Sequence, residues 1–148
     1  MNKIPYKQYC WSLGTTSFRT KNFNKTIEQQ LMLLYDFWNL PENKNKYWEG
    51  NNKLQSDYYD FMHKNDFITG EAANKPKDAR EKTSGLVDIG LIDEQRRVTE
   101  AGLALLSISK IGNFEADNFL QIDKDSFLYL KQLLKTSNNI NGEIVRPF

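Results

Sequence analysis

Apolar residues recur at Ile27, Leu31, Leu34, Tyr35 and Trp38. That spacing keeps them on one helical face and predicts a helix over 24–39. Pro41 ends it, because proline cannot continue the hydrogen-bond ladder and disfavours helix in the residue before it. A polar loop from Asn39 to Asn52 follows and carries Tyr47 and Trp48. Leu54, Tyr58, Phe61 and Met62 share one side of a second predicted helix over 53–64, after which Phe67 and Ile68 lead into a Thr69-Gly70 turn. A third helix is predicted over 76–89, with Pro76 suited to its first turn. Its inward positions are Ala79, Leu86 and Val87, with Thr83 near the boundary, while Lys77, Arg80 and Lys82 face out. The run closes on Gly90-Leu91-Ile92, a polar turn Asp93-Glu94-Gln95 and the pair Arg96-Arg97. Thr99 is the expected N-cap of a fourth helix, where Ala101, Leu105 and Ile108 share a face flanked by Leu103, Leu106 and Ile111. Beyond a mixed connector, Asp125 is placed to cap a last helix with Phe127, Leu130, Leu133 and Leu134 aligned. The chain shows no internal repeat, and its close on Val145-Arg146-Pro147-Phe148 reads as a cut through something longer.

The order helix, Gly-Leu-Ile, short turn, Val-Thr-Glu-Ala-Gly, helix is that of the second half of a winged helix-turn-helix domain. The expected class is therefore mainly α with a small β-wing: a winged helix-turn-helix with extra N- and C-terminal helices. A basic arm is expected over 1–22, the winged domain over 23–112, and a connector and helix over 113–148. In that scheme the helix before Gly90 is the recognition helix, and Asp93 to Val98 form the wing.

Composition narrows the class without naming a function. Hydrophobic residues make up 39% and aromatic residues 13% of the 148 positions, enough for a filled core and against wholesale disorder. The formal net charge of +1 leaves the decision to how charge is distributed. One cysteine, Cys10, excludes an internal disulfide framework and a multi-cysteine zinc site, and points to a reducing, cytoplasmic setting. No apolar run is long enough to span a bilayer, and the start has no apolar signal core.

Several catalytic patterns are weaker than their structural alternatives. A magnesium nuclease needs paired acids and a lysine near the attacking water. Asp36, Glu42 and Lys44 match that formula loosely, but Asp36 sits on a helix that Pro41 terminates. Asp123 and Asp125 are spaced as capping acids. His63, the single histidine, has no partner for a zinc site, and a nucleophile pair with Cys10 is outweighed by its place on an ordinary aromatic helix. No phosphate-cradling glycine loop or dinucleotide fingerprint is present.

The basic positions suit duplex DNA better. The outward side of the third helix offers Lys75, Lys77, Arg80, Glu81, Lys82 and Thr83. Arg80 can fork to guanine O6 and N7, and Glu81 or Asp78 can accept from a cytosine amino group. Arg96 and Arg97 on the wing suit phosphates or the minor groove. Arg19 and Lys21, with the hydroxyls of Thr15, Thr16 and Ser17, would place the arm on the backbone; the alternative is a solvated arm. Between Lys75 and Arg97 the bases Lys75, Lys77, Arg80, Lys82, Arg96 and Arg97 are nearly balanced by Asp78, Glu81, Asp88, Asp93 and Glu94, so a purely solvated helix face stays open.

The opening Trp11-Ser12-Leu13-Gly14-Thr15-Thr16-Ser17-Phe18-Arg19 resembles the start of the AlwI-like family of type IIS restriction and nicking endonucleases. The downstream order is also similar: an Ile/Gln/Leu-rich helix, Tyr47-Trp48, an aromatic helix, Arg80 and Thr83, Gly90-Leu91-Ile92, Val98-Thr99-Glu100-Ala101-Gly102, and Phe127-Leu128-Tyr129-Leu130-Lys131-Gln132-Leu133-Leu134-Lys135. The resemblance implies a sequence-recognition region without the nuclease, which in that family is a separate C-terminal domain. This chain is then non-catalytic, needs no cofactor of its own, and binds double-stranded DNA as a monomer. The parent is expected to be a type II site-specific deoxyribonuclease whose Mg2+ belongs to the absent nuclease domain, in the same chain or a partner subunit. A free-standing winged-helix transcriptional regulator, which would dimerise, is the alternative, and a protein-binding winged helix is a third class.

Overall fold

The computed structural model describes residues 23–111, 131–132, 138–140 and 143–145. The fold is mainly helical. Four helices run α1 (Phe23–Asn39), α2 (Asn52–Lys64), α3 (Lys75–Asp88) and α4 (Glu100–Ile111), and a two-stranded antiparallel hairpin pairs β1 (Asn138–Ile140) with β2 (Glu143–Val145). The expected basic arm lies outside the described residues, as does most of the expected last helix; Lys131 and Gln132 are helical. Among the described residues no helix is long and apolar enough to cross a membrane.

Each helix begins and ends for a local reason. Asn51 caps α2 by accepting from the Leu54 N–H at 3.0 Å, and Asn74 caps α3 by accepting from the Lys77 N–H at 3.1 Å. Pro76 follows within the first turn of α3, where its missing N–H costs nothing. Gly90, at φ +74°, turns the chain out of α3. The Gly90 N–H donates to the Val87 carbonyl and the Leu91 N–H to the Leu86 carbonyl, both at 2.9 Å. This is a Schellman ending, which satisfies otherwise orphaned carbonyls. Thr99 caps α4, accepting from the Gly102 N–H at 3.3 Å while its hydroxyl donates to the Gly90 carbonyl at 2.7 Å.

Between α3 and α4 the chain reverses through a tight turn closed by one antiparallel bridge, Ile92 to Val98, in place of the two-stranded wing expected there. The Asp93 N–H donates to the Arg97 carbonyl at 2.8 Å, and the Arg96 N–H to the Asp93 carbonyl at 2.9 Å. Arg96 adopts φ +63°, the left-handed position that glycine or asparagine normally fills in a three-residue hairpin loop.

The core joins all four helices. Ile27, Leu31, Leu34, Phe37 and Trp38 from α1 meet Leu54, Tyr58 and Met62 from α2, Ala79 and Leu86 from α3, and Leu105 and Leu106 from α4. Phe37 is its aromatic centre, with ring centroids 5.1 Å from Tyr58, 5.6 Å from Phe61 and 5.8 Å from Trp38. Tyr35, expected inward, is instead 40% exposed, and Phe37 takes the buried place. Phe37 is the one covered by α2, through Tyr58 and Phe61. α2 packs chiefly against α3. Gln30 ties α1 to α3 by donating to the Lys82 carbonyl at 2.9 Å.

Two substitutions test this packing. A β-carbon on Gly102 would collide with the Leu91 carbonyl and the Val98 side chain. Gly102→Ala is expected to lower unfolding free energy by about 3 kcal/mol, as overpacking against backbone does, measured by urea denaturation. Tyr58 is fully buried and its hydroxyl has no partner among the described residues, so burial pushes its pKa up. Tyr58→Phe removes the stranded group and should leave stability unchanged or raise it by up to about 1 kcal/mol, read in the same titration.

Candidate nucleic-acid interface

α3 presents two chemically different sides. Ala79, Thr83, Gly85 and Leu86 are buried, while Lys77 and Glu81 are exposed and Arg80, Lys82 and Ser84 are half-buried. The outward charges are partnered. Lys75 donates to Asp60 at 2.7 Å, a hydrogen bond that raises its pKa, and its ammonium lies 5.7 Å from the Tyr59 ring centroid. Lys77 pairs with Glu81 at 3.7 Å, and Lys82 with Asp78 at 3.6 Å. Exposed pairs one helical turn apart contribute only about 0.3–0.5 kcal/mol, so they can be exchanged for contacts with a ligand.

Arg80 is held differently. Its Nη1 donates to the amide oxygen of Gln55 and, at 3.4 Å, to that of Asn52. Gln55 is itself buried, with its Nε2 donating to the Trp48 carbonyl at 2.8 Å. The guanidinium is thus braced against the N-terminal turn of α2, and its Nε and Nη2 have no protein partner among the described residues. It opens onto a cleft of about 560 Å³ walled by Trp48, Glu49 and Gly50 on one side and by Glu94 and Arg96 on another.

Thr83, expected among the contacts, is fully buried. Its hydroxyl donates to the Ala79 carbonyl at 2.8 Å and accepts from Arg96 Nε at 2.9 Å. Through these bonds it supports the turn.

The two turn arginines, expected on phosphates, are bound within the fold. The Arg96 carbonyl accepts from the Trp38 indole N–H at 2.8 Å; its Nη1 donates to the Glu94 carbonyl at 3.0 Å. Its guanidinium lies 5.7 Å from the Trp48 ring. Burial lowers the Arg96 pKa, and the carboxylates of Asp88, Asp93 and Glu94 oppose that shift, so the group stays charged. Arg97 stacks over Trp38 at 4.1 Å, and its Nη2 donates to the carbonyls of Lys44 at 2.8 Å and Lys46 at 3.2 Å. These long-range ties had no signal in the local sequence. Those to Trp38, Lys44, Lys46 and Trp48 unite residues about fifty to sixty positions apart, and an Arg-Arg pair in a polar turn looks the same whether it faces solvent or a tryptophan.

Lys75, Lys77, Arg80, Glu81 and Lys82 therefore share one helix, with Arg80 the best oriented. Arg96 and Arg97 belong to the adjoining scaffold, and Arg19 and Lys21 lie outside the described residues. Among the described residues no three His, Cys, Asp or Glu side chains converge as metal ligands. His63 is exposed in the last turn of α2. Comparison with protein-family models, curated proteins and solved structures finds no match to this chain.

Thr83→Val keeps the shape and removes the acceptor for Arg96 Nε. A loss of about 1–2 kcal/mol is expected in urea unfolding. An unchanged midpoint would mean that the Thr83–Arg96 hydrogen bond does not hold the turn.

Proposed function

We propose that this chain is a sequence-specific module for double-stranded DNA, with α3 as the element that enters the major groove. One observation carries this: the α3 guanidinium of Arg80, braced through one nitrogen by Gln55 and Asn52, leaves its other donors without a protein partner. A pre-oriented guanidinium is what bidentate recognition of guanine requires, and such a pair is worth roughly 1–3 kcal/mol of discrimination. That exceeds the exposed Lys77–Glu81 pair that binding would disturb. The order of the elements agrees with a winged helix-turn-helix: α2 and α3 as the helix pair, the 92–98 turn as a minimal wing, then α4. A recognition helix held by its buried face is the common feature of such modules.

The near balance of acids and bases along α3 suits a reader that acts inside a larger enzyme. The resemblance to type IIS restriction and nicking endonucleases agrees with that role. The module then reads an asymmetric site as a monomer, and cleavage belongs to a magnesium-dependent nuclease domain outside this chain.

Selection from a random duplex pool tests the proposal. A short asymmetric motif recovered by a monomer is the expected result, and Arg80→Ala should relax preference at one position of that motif by roughly tenfold, within the range for a lost bidentate contact. A palindromic motif bound by a dimer would point to a transcriptional regulator. Absence of any salt-sensitive duplex binding would refute a DNA role, because phosphate contacts release counterions.

A further inference from the structure

Resting on the DNA reading above, we propose that the second contact with the duplex is made by the α1–α2 loop at Lys44, Lys46 and Tyr47, and that the arginine turn is its support. Such a domain would ordinarily use its wing for that contact. Here the wing position is spent. The Arg97 guanidinium is bonded to the carbonyls of Lys44 and Lys46, and Arg96 to Thr83 and to the Glu94 carbonyl. Moving either to a phosphate would break those bonds and leave the loop carbonyls and the Thr83 hydroxyl short of a donor.

The loop they hold is built for presentation. Asn43 is 3% exposed and its side chain donates to the Phe37 carbonyl at 3.0 Å; Trp48 is 2% exposed and its backbone N–H donates to the Gln95 side chain at 2.8 Å. Between these two buried posts, Tyr47 is 74% exposed. An aromatic ring held outside the core on a pinned loop offers contact area with few rotamers to freeze, and little ordering cost on binding. Lys44 is exposed and forms no ion pair among the described residues, whereas Lys75, Lys77 and Lys82 on α3 all do. Lys46 donates to the neutral amide of Asn43 at 3.1 Å and forms no ion pair among the described residues, in a groove it shares with Glu42, Asp57 and Asp60.

Loop and recognition helix border the same cleft, with Trp48 to Gly50 on one wall and Arg80 on another. The carboxylates of Glu49 and Glu94 in that cleft disfavour a phosphate within it. The phosphates are therefore met at the outer edge, by Lys44 and Lys46, with the Tyr47 ring against a sugar.

Affinity for a random-sequence duplex, measured over a series of salt concentrations, decides the matter. Tyr47→Ala is expected to weaken binding several-fold, as loss of a pre-ordered aromatic contact with the duplex does, with the salt slope unchanged. Tyr47→Phe should bind as the wild type. Lys44→Ala should reduce the slope of log affinity against log salt by about 0.9, the signature of one lost phosphate contact. Circular dichroism checks that each variant is folded; if Tyr47→Ala is not, the Lys44→Ala slope decides. Wild-type binding matched by both alanine variants, slope included, would overturn the loop contact and leave the α3 proposal standing. No salt-dependent binding by the wild type would overturn both.

Discussion

Of the two buried indoles at this junction, Trp38 finds an acceptor for its N–H on the carbonyl of Arg96, fifty-eight positions along the chain, while that of Trp48 has none among the described residues. The Trp38 ring also carries the Arg97 guanidinium on its face. One side chain at the end of α1 therefore receives both arginines of the α3–α4 turn. The left-handed backbone at Arg96 costs roughly 1 kcal/mol, and the indole hydrogen bond returns about as much. The turn, the α1–α2 loop and the exit of α3 all take their positions from this junction. Thr83 anchors Arg96 from below, and Gln95 anchors Trp48 from the side.

The junction separates two jobs that basic residues can do. On α3 the cations are partnered by weak surface interactions or braced at one nitrogen, so they remain available to a ligand. In the turn the guanidinium groups bond to backbone carbonyls and stack on indole, where charge is used to hold shape. With a formal charge of only +1, the proposed contact with an acidic polymer would rest on where the uncommitted cations are placed. Bracing Arg80 from α2 and pinning Lys44 and Lys46 beside the turn both serve that placement.

Much of the helical frame was legible in the sequence. The apolar spacing from Ile27 to Trp38, the Pro76 start and the Thr99 cap each have a local cause, and the helices fall close to where those signals put them. The bonds that Thr83, Arg96 and Arg97 make within the fold were not legible because their partners are distant: a threonine at a helix boundary is exposed or buried according to what packs there. The exchange of Tyr35 for Phe37 in the core has the same origin. The hairpin of β1 and β2 did carry a local signal, Asn141-Gly142 between the paired stretches, which is a strong hairpin dipeptide. The candidate interface was legible as a helix and a charge pattern; which charges are free was not, since that depends on Asp60, Gln55 and Asn52 from another helix.

The reach of the Trp38–Arg96 bond bears on how much of the chain this surface needs. Local preference does not favour arginine in a left-handed turn, so the form of the turn depends on its bond to α1. A fragment beginning after α1 would keep the residues of α3 and lose the frame that orients them. The smallest unit able to hold this surface therefore begins at α1 and runs through α4, whose Leu105 and Leu106 complete the core; it is one body and not a helix pair with detachable flanks.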